Sequence, residues 1–135
     1  MVIEMSRISK DEILYNDPFE LKLPDGTVVK IRYPTIKDRR EVLKEIQDDP
    51  VLSNLPPKEK ELEIMNRLVL RMLVEPKITV EEYLNAPDFK IVNLIDMIWM
   101  QYTKKILDIM KKKRRLFANF LEQMKEEKLL PSTTS

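Results

Sequence analysis

The amino-acid sequence predicts an α+β fold, mainly α, with an N-terminal β-hairpin packed on a helical body and a long C-terminal helix. Two alternating apolar runs flank Asp25-Gly26, a dipeptide typical of tight hairpin turns. Apolar residues later in the chain recur at spacings of three and four, which indicates helices. Residues 88–128 contain neither Pro nor Gly, so none of them is expected to break a helix. At 135 residues, the chain has the length of one compact domain.

The hairpin is predicted over residues 19–33. Successive side chains of a strand point to opposite faces, and one face of each predicted strand is apolar. These apolar positions are Phe19, Leu21 and Leu23 on the first strand, and Val29, Ile31 and Tyr33 on the second. A lone hairpin is only marginally stable in water, so we expect its apolar face to pack on the helices that follow.

A surface helix is predicted next, over residues 36–47. Thr35, with Asp38 three residues later, is typical of a helix N-cap followed by an acidic first turn. The apolar side of this helix is thin and consists of Ile36, Val42, Leu43 and Ile46. We therefore expect this helix to pack on the rest of the protein through one narrow apolar face.

Two further helices follow on the same kind of evidence. Pro57 suits the first turn of a helix, and we expect that helix to end at Glu75-Pro76. Its predicted core positions are Leu62, Met65, Val69 and Met72. Thr79 and Glu82 have the spacing of a capping box, which predicts a short helix that Pro87 stops.

The last predicted helix covers about residues 88–128. One of its faces is marked by Ile91, Ile95, Ile98, Tyr102, Ile106 and Ile109. At 1.5 Å per residue, such a helix would span about 60 Å, whereas a globule of this chain length has a diameter of roughly 35 to 40 Å. Either the helix bends near residues 111–115 and folds back, or its distal part needs a partner.

We accordingly divide the chain into four parts. Residues 1–18 are an N-terminal segment, and residues 19–110 are the hairpin and helical domain. Residues 111–130 are the distal part of the long basic helix. Residues 131–135 are expected to be a flexible tail.

The composition excludes much of enzyme chemistry. The chain has no Cys and no His and a single Gly, which excludes Cys/His metal sites, thiol catalysis, imidazole bases and glycine-rich phosphate loops. The densest carboxylate pairs are Asp48-Asp49, Glu81-Glu82 and Glu126-Glu127. Adjacent helical residues point to different faces, so none of these pairs presents two carboxylates together. We predict no enzymatic activity, no catalytic residue, no metal and no cofactor.

The sequence also predicts a cytoplasmic location. The first 20 residues contain five carboxylates and no apolar core of a signal peptide. The unbroken apolar stretches are far shorter than the ~18 residues of a membrane span, so no membrane partner is expected. Abundant Lys and Glu with no Cys favour a thermophilic source.

The distal part of the long helix carries a predicted partner-binding face. Its residues are Leu116, Phe117, Phe120, Leu121 and Met124, and we call them the distal face. This is more apolar area than a helix commonly leaves in water. Helix-in-groove binding of a client and homo-oligomerisation would both use such a face, and we expect a homo-oligomer as well as a client. The alternative is that the chain turns near residue 113 and this segment completes its own core.

A basic patch precedes and overlaps the distal face. It comprises Lys104, Lys105, Lys111, Lys112, Lys113, Arg114 and Arg115. Residues 104–128 hold nine basic and four acidic residues, a net of +5, and the rest of the chain holds 15 and 19, a net of −4. The patch predicts an acidic protein partner, contact with nucleic-acid phosphates as a less favoured alternative, or a solvated helix face. No signature of base-reading domains accompanies it.

Two segments carry a family resemblance. They are residues 23–38, LPDGTVVKIRYPTIKD, and residues 71–79, RMLVEPKIT, which precede a short acidic helix. The chain resembles the tail assembly chaperones of tailed phages and proviruses over about residues 19–110. The resemblance implies a non-enzymatic protein that binds a tape-measure protein during tail assembly, in the cytoplasm of the host cell if viral. The basic C-terminal helix departs from that pattern, which leaves a virion structural or DNA-associated role as the alternative.

Overall fold

The computed structural model describes residues 7–126 and confirms the α+β, mainly α, fold class. In chain order the elements are α1 (Lys10–Leu14), β1 (Phe19–Lys22), β2 (Val28–Ile31), α2 (Ile36–Asp48), a 3-10 turn (Leu52–Asn54), α3 (Pro57–Met72), β3 (Leu73–Glu75), α4 (Val80–Asn85) and α5 (Asp88–Glu126). Among these residues, no helix has the length and apolarity that a membrane crossing requires.

The predicted hairpin is confirmed, and it belongs to a three-stranded antiparallel sheet of order β1-β2-β3. Phe19 pairs with Ile31 and Leu21 pairs with Val29. Gly26 adopts a φ of +88° at the turn, a conformation that disfavours residues with a Cβ atom. Asp25 accepts a hydrogen bond from the Thr27 amide at 2.9 Å, which closes the turn and lowers the pKa of the Asp25 carboxyl.

Strand β3 was not predicted. The sequence suggested that α3 continues to Glu75, but the helix ends at Met72 and the chain pairs with β2 over Leu73–Glu75. The residues just before Pro76 are biased toward extended conformations, and the free edge of β2 offers hydrogen-bond partners. The amide of Arg32 donates to the carbonyl of Met72 at 2.9 Å, which continues the pairing.

Helix caps were predicted well. Thr35 and Asp38 form a reciprocal capping box at α2, and Thr79 and Glu82 form a second one at α4. In each box the hydroxyl accepts from the third amide of the helix while the carboxylate accepts from the Thr amide. These bonds satisfy amides that a helix otherwise leaves unpaired.

The core lies between the sheet and one side of the helices. Its buried apolar residues are Leu21, Leu23, Val29, Ile31, Val42, Ile46, Val69, Leu70, Met72, Leu73, Ile91, Ile95 and Ile98. Four residues of the predicted apolar helix sides are exposed, namely Ile36, Leu43, Leu62 and Ile109. Leu62 precedes the buried residues of α3, the first of which is Arg67.

Two compact units make up the chain, one ending at Ile98 and one beginning at Trp99. Helix α5 contributes residues to both. It is continuous across residues 111–115, so the expected alternative of a turn near residue 113 is wrong. The flexible tail predicted at 131–135, and residues 127–130 of the predicted distal helix, lie outside the described residues.

Candidate functional site

The second unit, from Trp99 onward, carries the residues that the sequence singled out. Each residue advances about 100° around an α-helix, so positions three and four apart share one side. On this basis one side is formed by Tyr102, Ile106, Ile109, Lys113, Leu116, Phe120 and Met124, which we call the stripe. Apart from Lys113, every member of the stripe is apolar or aromatic.

Exposure divides the distal face into two groups. Leu116, Phe117 and Phe120 are 69%, 62% and 53% exposed. Leu121 and Met124 are half-buried. Because large apolar side chains gain free energy when water is removed from them, the first three are the groups that a partner surface would cover. This geometry is compatible with the predicted role of the distal face, which remains a prediction.

The basic patch is largely exposed. Lys104 and residues 111–115 are exposed, and Lys105 is half-buried. Around the helix, Lys105 and Lys112 lie three or four positions from members of the stripe and flank it on one border, whereas Met110 and Phe117 flank it on the other. Arg114 and Lys125, like the acidic residues Asp108 and Glu122, lie further around the helix. The stripe therefore has lysines along one border and apolar side chains along the other.

The first unit contains a polar network that sequence reasoning missed. Arg67 donates to Glu63 at 2.9 Å and to Glu45 at 3.3 Å. Arg71 donates to Glu45 at 2.6 Å and also pairs with Glu41. The network ties α3 to α2 across the surface of the core.

The carboxylates of this network stabilise the charged form of its two arginines. Burial opposes the charged form of Arg67, yet its hydrogen bonds to Glu63 and Glu45 outweigh burial and raise its pKa. Burial likewise opposes the charged form of Arg71, but its hydrogen bonds to Glu45 and Glu41 outweigh burial and raise its pKa. All three arginines that line an adjacent cleft of about 380 Å³ (Arg32, Arg67 and Arg71) are paired with carboxylates. The cleft therefore offers no uncompensated guanidinium to an anion.

Helix α4 is attached to this network through a tyrosine. The Tyr83 hydroxyl donates to Glu63 at 3.0 Å and accepts from the Asn66 amide at 3.1 Å. Burial raises the pKa of Tyr83, and the nearby Glu63 carboxylate adds to the effect. Glu63 is thereby held between Arg67 and Tyr83.

Within residues 7–126, no three potential metal ligands come together. Of the pair Asp48-Asp49, Asp48 is the last residue of α2 and Asp49 is its C-cap. Asp49 accepts from the amides of Val51 and Leu52 at 2.8 and 3.1 Å. Glu82 is likewise used in its capping box. In the Asp48-Asp49 and Glu81-Glu82 pairs, one carboxylate of each thus has a local structural partner.

Comparison of the chain with protein-family models, with curated proteins and with solved structures finds no match.

Proposed function

We propose that this protein is a non-enzymatic assembly chaperone that binds an apolar helical client through the distal face of α5. The observation that carries the proposal is the exposure of Leu116, Phe117 and Phe120 on one continuous helix. Full burial of such side chains is worth about 1.5 to 3 kcal/mol each. Three of them supply a substantial part of the roughly 8 kcal/mol of a micromolar complex, before the entropic cost of association.

The client class follows from the resemblance to tail assembly chaperones. Such a chaperone would bind a long tape-measure protein while tail-tube subunits assemble around it, in the cytoplasm of the host cell. Amphipathic helices commonly bind partners by laying an apolar face into a groove or against a second helix. The exposed distal face has the residue types for that mode.

Co-purification tests this proposal directly. The full chain should be co-expressed with any tape-measure-like protein that a neighbouring gene encodes, and the complex isolated at several salt concentrations. We expect such a gene, and a stable complex that keeps its product in solution. A gene neighbourhood without tail genes, or a tape-measure-like protein that never associates with the chain, would refute the proposal.

A second candidate function, a virion structural or DNA-associated protein, is favoured by the exposure of residues 111–115. Lysines and arginines that neutralise phosphates release counterions, so such binding weakens steeply with salt. Duplex DNA should then shift in a gel at 50 mM salt and much less at 200 mM. Salt-insensitive client binding with no DNA shift would exclude this candidate.

A further inference from the structure

Lys113 lies within the apolar stripe of α5. By steps of three and four it stands between Ile109 and Leu116, with Phe120 one turn further on. Within the described residues, no carboxylate forms an ion pair with Lys113. A partner that covers the stripe must therefore accommodate an ammonium group among apolar side chains.

A second copy of α5 does not offer a counter-charge. The stripe contains no Asp or Glu, so no alignment of the stripe with itself, parallel or antiparallel, places a carboxylate opposite Lys113. In a parallel pair in register the two Lys113 side chains would face each other. Burying an ammonium group without a counter-charge is costly.

The charges on the borders of the stripe also disfavour a second copy of α5 as the partner. Lys105 and Lys112 lie on one border, and the apolar residues Met110 and Phe117 lie on the other. Charges at these border positions commonly select the partner of a helix pair, because opposite charges attract across the interface and like charges repel. An antiparallel pair of α5 helices would bring the two lysine borders together, and a parallel pair in register would bring the two Lys113 side chains together.

We infer that the stripe of α5 binds an acidic amphipathic helix of a different protein, which places a carboxylate opposite Lys113 and acidic residues along the border formed by Lys105 and Lys112. A single charged residue in an otherwise apolar seam is a known device for fixing the register of a helix pair at some cost in stability. Lys113 is thus the register-setting residue, and the border cations set the sign of the partner. This inference rests on the proposed function, since it specifies the chemistry of the client.

A charge-swapped peptide tests the inference with the full chain. The probe has the sequence of residues 99–126 with Glu at all seven positions of the basic patch. A matched peptide is identical except that it keeps Lys at position 113, and a third peptide is the unchanged sequence. Fluorescence anisotropy with labelled peptides measures the three affinities for the wild type and for Lys113→Glu, and circular dichroism confirms that the variant keeps its helix.

We expect the wild type to bind the fully swapped peptide at least about tenfold more tightly than the peptide that keeps Lys at position 113, because like charges in an interface cost at least that much. Lys113→Glu should reverse this preference. The unchanged peptide should bind more weakly than both swapped peptides.

Several outcomes would overturn the inference. Equal affinity for the two swapped peptides would show that Lys113 does not set the register. Tight binding of the unchanged peptide would show that a second copy covers the stripe, and binding of duplex DNA in preference to every peptide would assign the cations to phosphates. If the client that co-purifies with the chain still binds the wild type in any of these cases, the proposed function survives. If the wild type does not bind that client either, the inference and the proposed function are both refuted.

Discussion

Arg32 and Asp38 form a bidentate ion pair, with guanidinium nitrogens 2.6 and 2.9 Å from the two carboxylate oxygens. Asp38 also accepts from the Thr35 amide at 2.8 Å and from the Thr35 hydroxyl at 3.0 Å. One buried carboxylate therefore joins the end of β2 to the start of α2. Arrangements of this kind are strong because both partners are charged and two bonds fix the geometry.

Replacement of Asp38 should consequently destabilise the protein markedly. We expect Asp38→Ala to lower the free energy of unfolding by about 2 to 4 kcal/mol, since it removes the helix cap and leaves Arg32 without its counter-charge. Thr35→Ala, which removes the hydroxyl of the same cap, should cost only about 1 kcal/mol. Urea denaturation of both variants measures the difference, and equal losses would mean that the ion pair contributes nothing beyond the cap.

Acidification should remove the stabilisation that Asp38 provides. The hydrogen bond from Arg32, assisted by those from Thr35, holds the pKa of Asp38 far below its usual value despite partial burial. A carboxyl whose pKa is lowered on folding stabilises the fold above its unfolded-state pKa of about 3.9 and loses that effect as the pH falls further.

The difference in unfolding free energy between the wild type and Asp38→Asn should therefore be constant from about pH 7 to pH 5 and shrink below about pH 4. Urea titrations at four pH values provide the measurement. A difference that stays unchanged down to pH 3 would contradict the assigned ion pair.

The buried Arg67 of the polar network is expected to contribute more to the free energy of unfolding than the surface residue Lys30. The Arg67 side chain is 9% exposed and bridges Glu63 and Glu45, so Arg67→Ala removes a buried cation that neutralises two carboxylates and should cost about 2 to 4 kcal/mol. Lys30 pairs with Glu75 at 3.7 Å, where both side chains are largely exposed. Lys30→Ala is the control and should cost less than about 1 kcal/mol. Thermal unfolding of the two variants would contradict this ranking if their midpoints fell equally.

The hairpin turn depends on Gly26. Its φ of +88° is strained for a residue with a Cβ atom, although the space around the position is open. We expect Gly26→Ala to cost about 1 kcal/mol or more, and Gly26→Asn to cost less, since Asn tolerates positive φ better. If Ala and Asn were equally tolerated in chemical denaturation, the turn would not have the conformation described.

Local chemistry explains which parts of the fold the sequence could predict. Asp25-Gly26, Thr35 with Asp38, and Thr79 with Glu82 each specify a turn or a cap through atoms only a few residues apart. The continuity of α5 over residues 88–126 was predictable because no Pro or Gly occurs inside it.

Features that depend on distant residues could not be predicted in the same way. Strand β3 continues directly from α3, and only the free edge of β2 makes it a strand. Arg71 forms a hydrogen bond with Glu41, which lies 30 residues earlier in the sequence. The spacing of four between Glu41 and Glu45, and between Glu63 and Arg67, is the one sequence signal of that network, because such pairs share a helix face. For the distal site, the sequence predicted the apolar and basic residues, but the placement of Lys113 in the stripe required the continuous helix.

The central claim is that the distal face of α5 binds a helical client, and the most direct test is the affinity of a double variant for that client. The double variant Phe117→Ser with Phe120→Ser should keep its fold, because both side chains are exposed. Its affinity for the tape-measure-like protein should fall by about 100-fold or more, because the apolar surface that the two side chains bury in the complex is lost. Leu84→Ser with Phe89→Ser, at equally exposed apolar positions of the first unit, is the matched control and should leave the affinity unchanged. Unaltered client affinity in the distal variant, or a distal variant that unfolds while the wild type remains a monomer at high concentration, would contradict the claim.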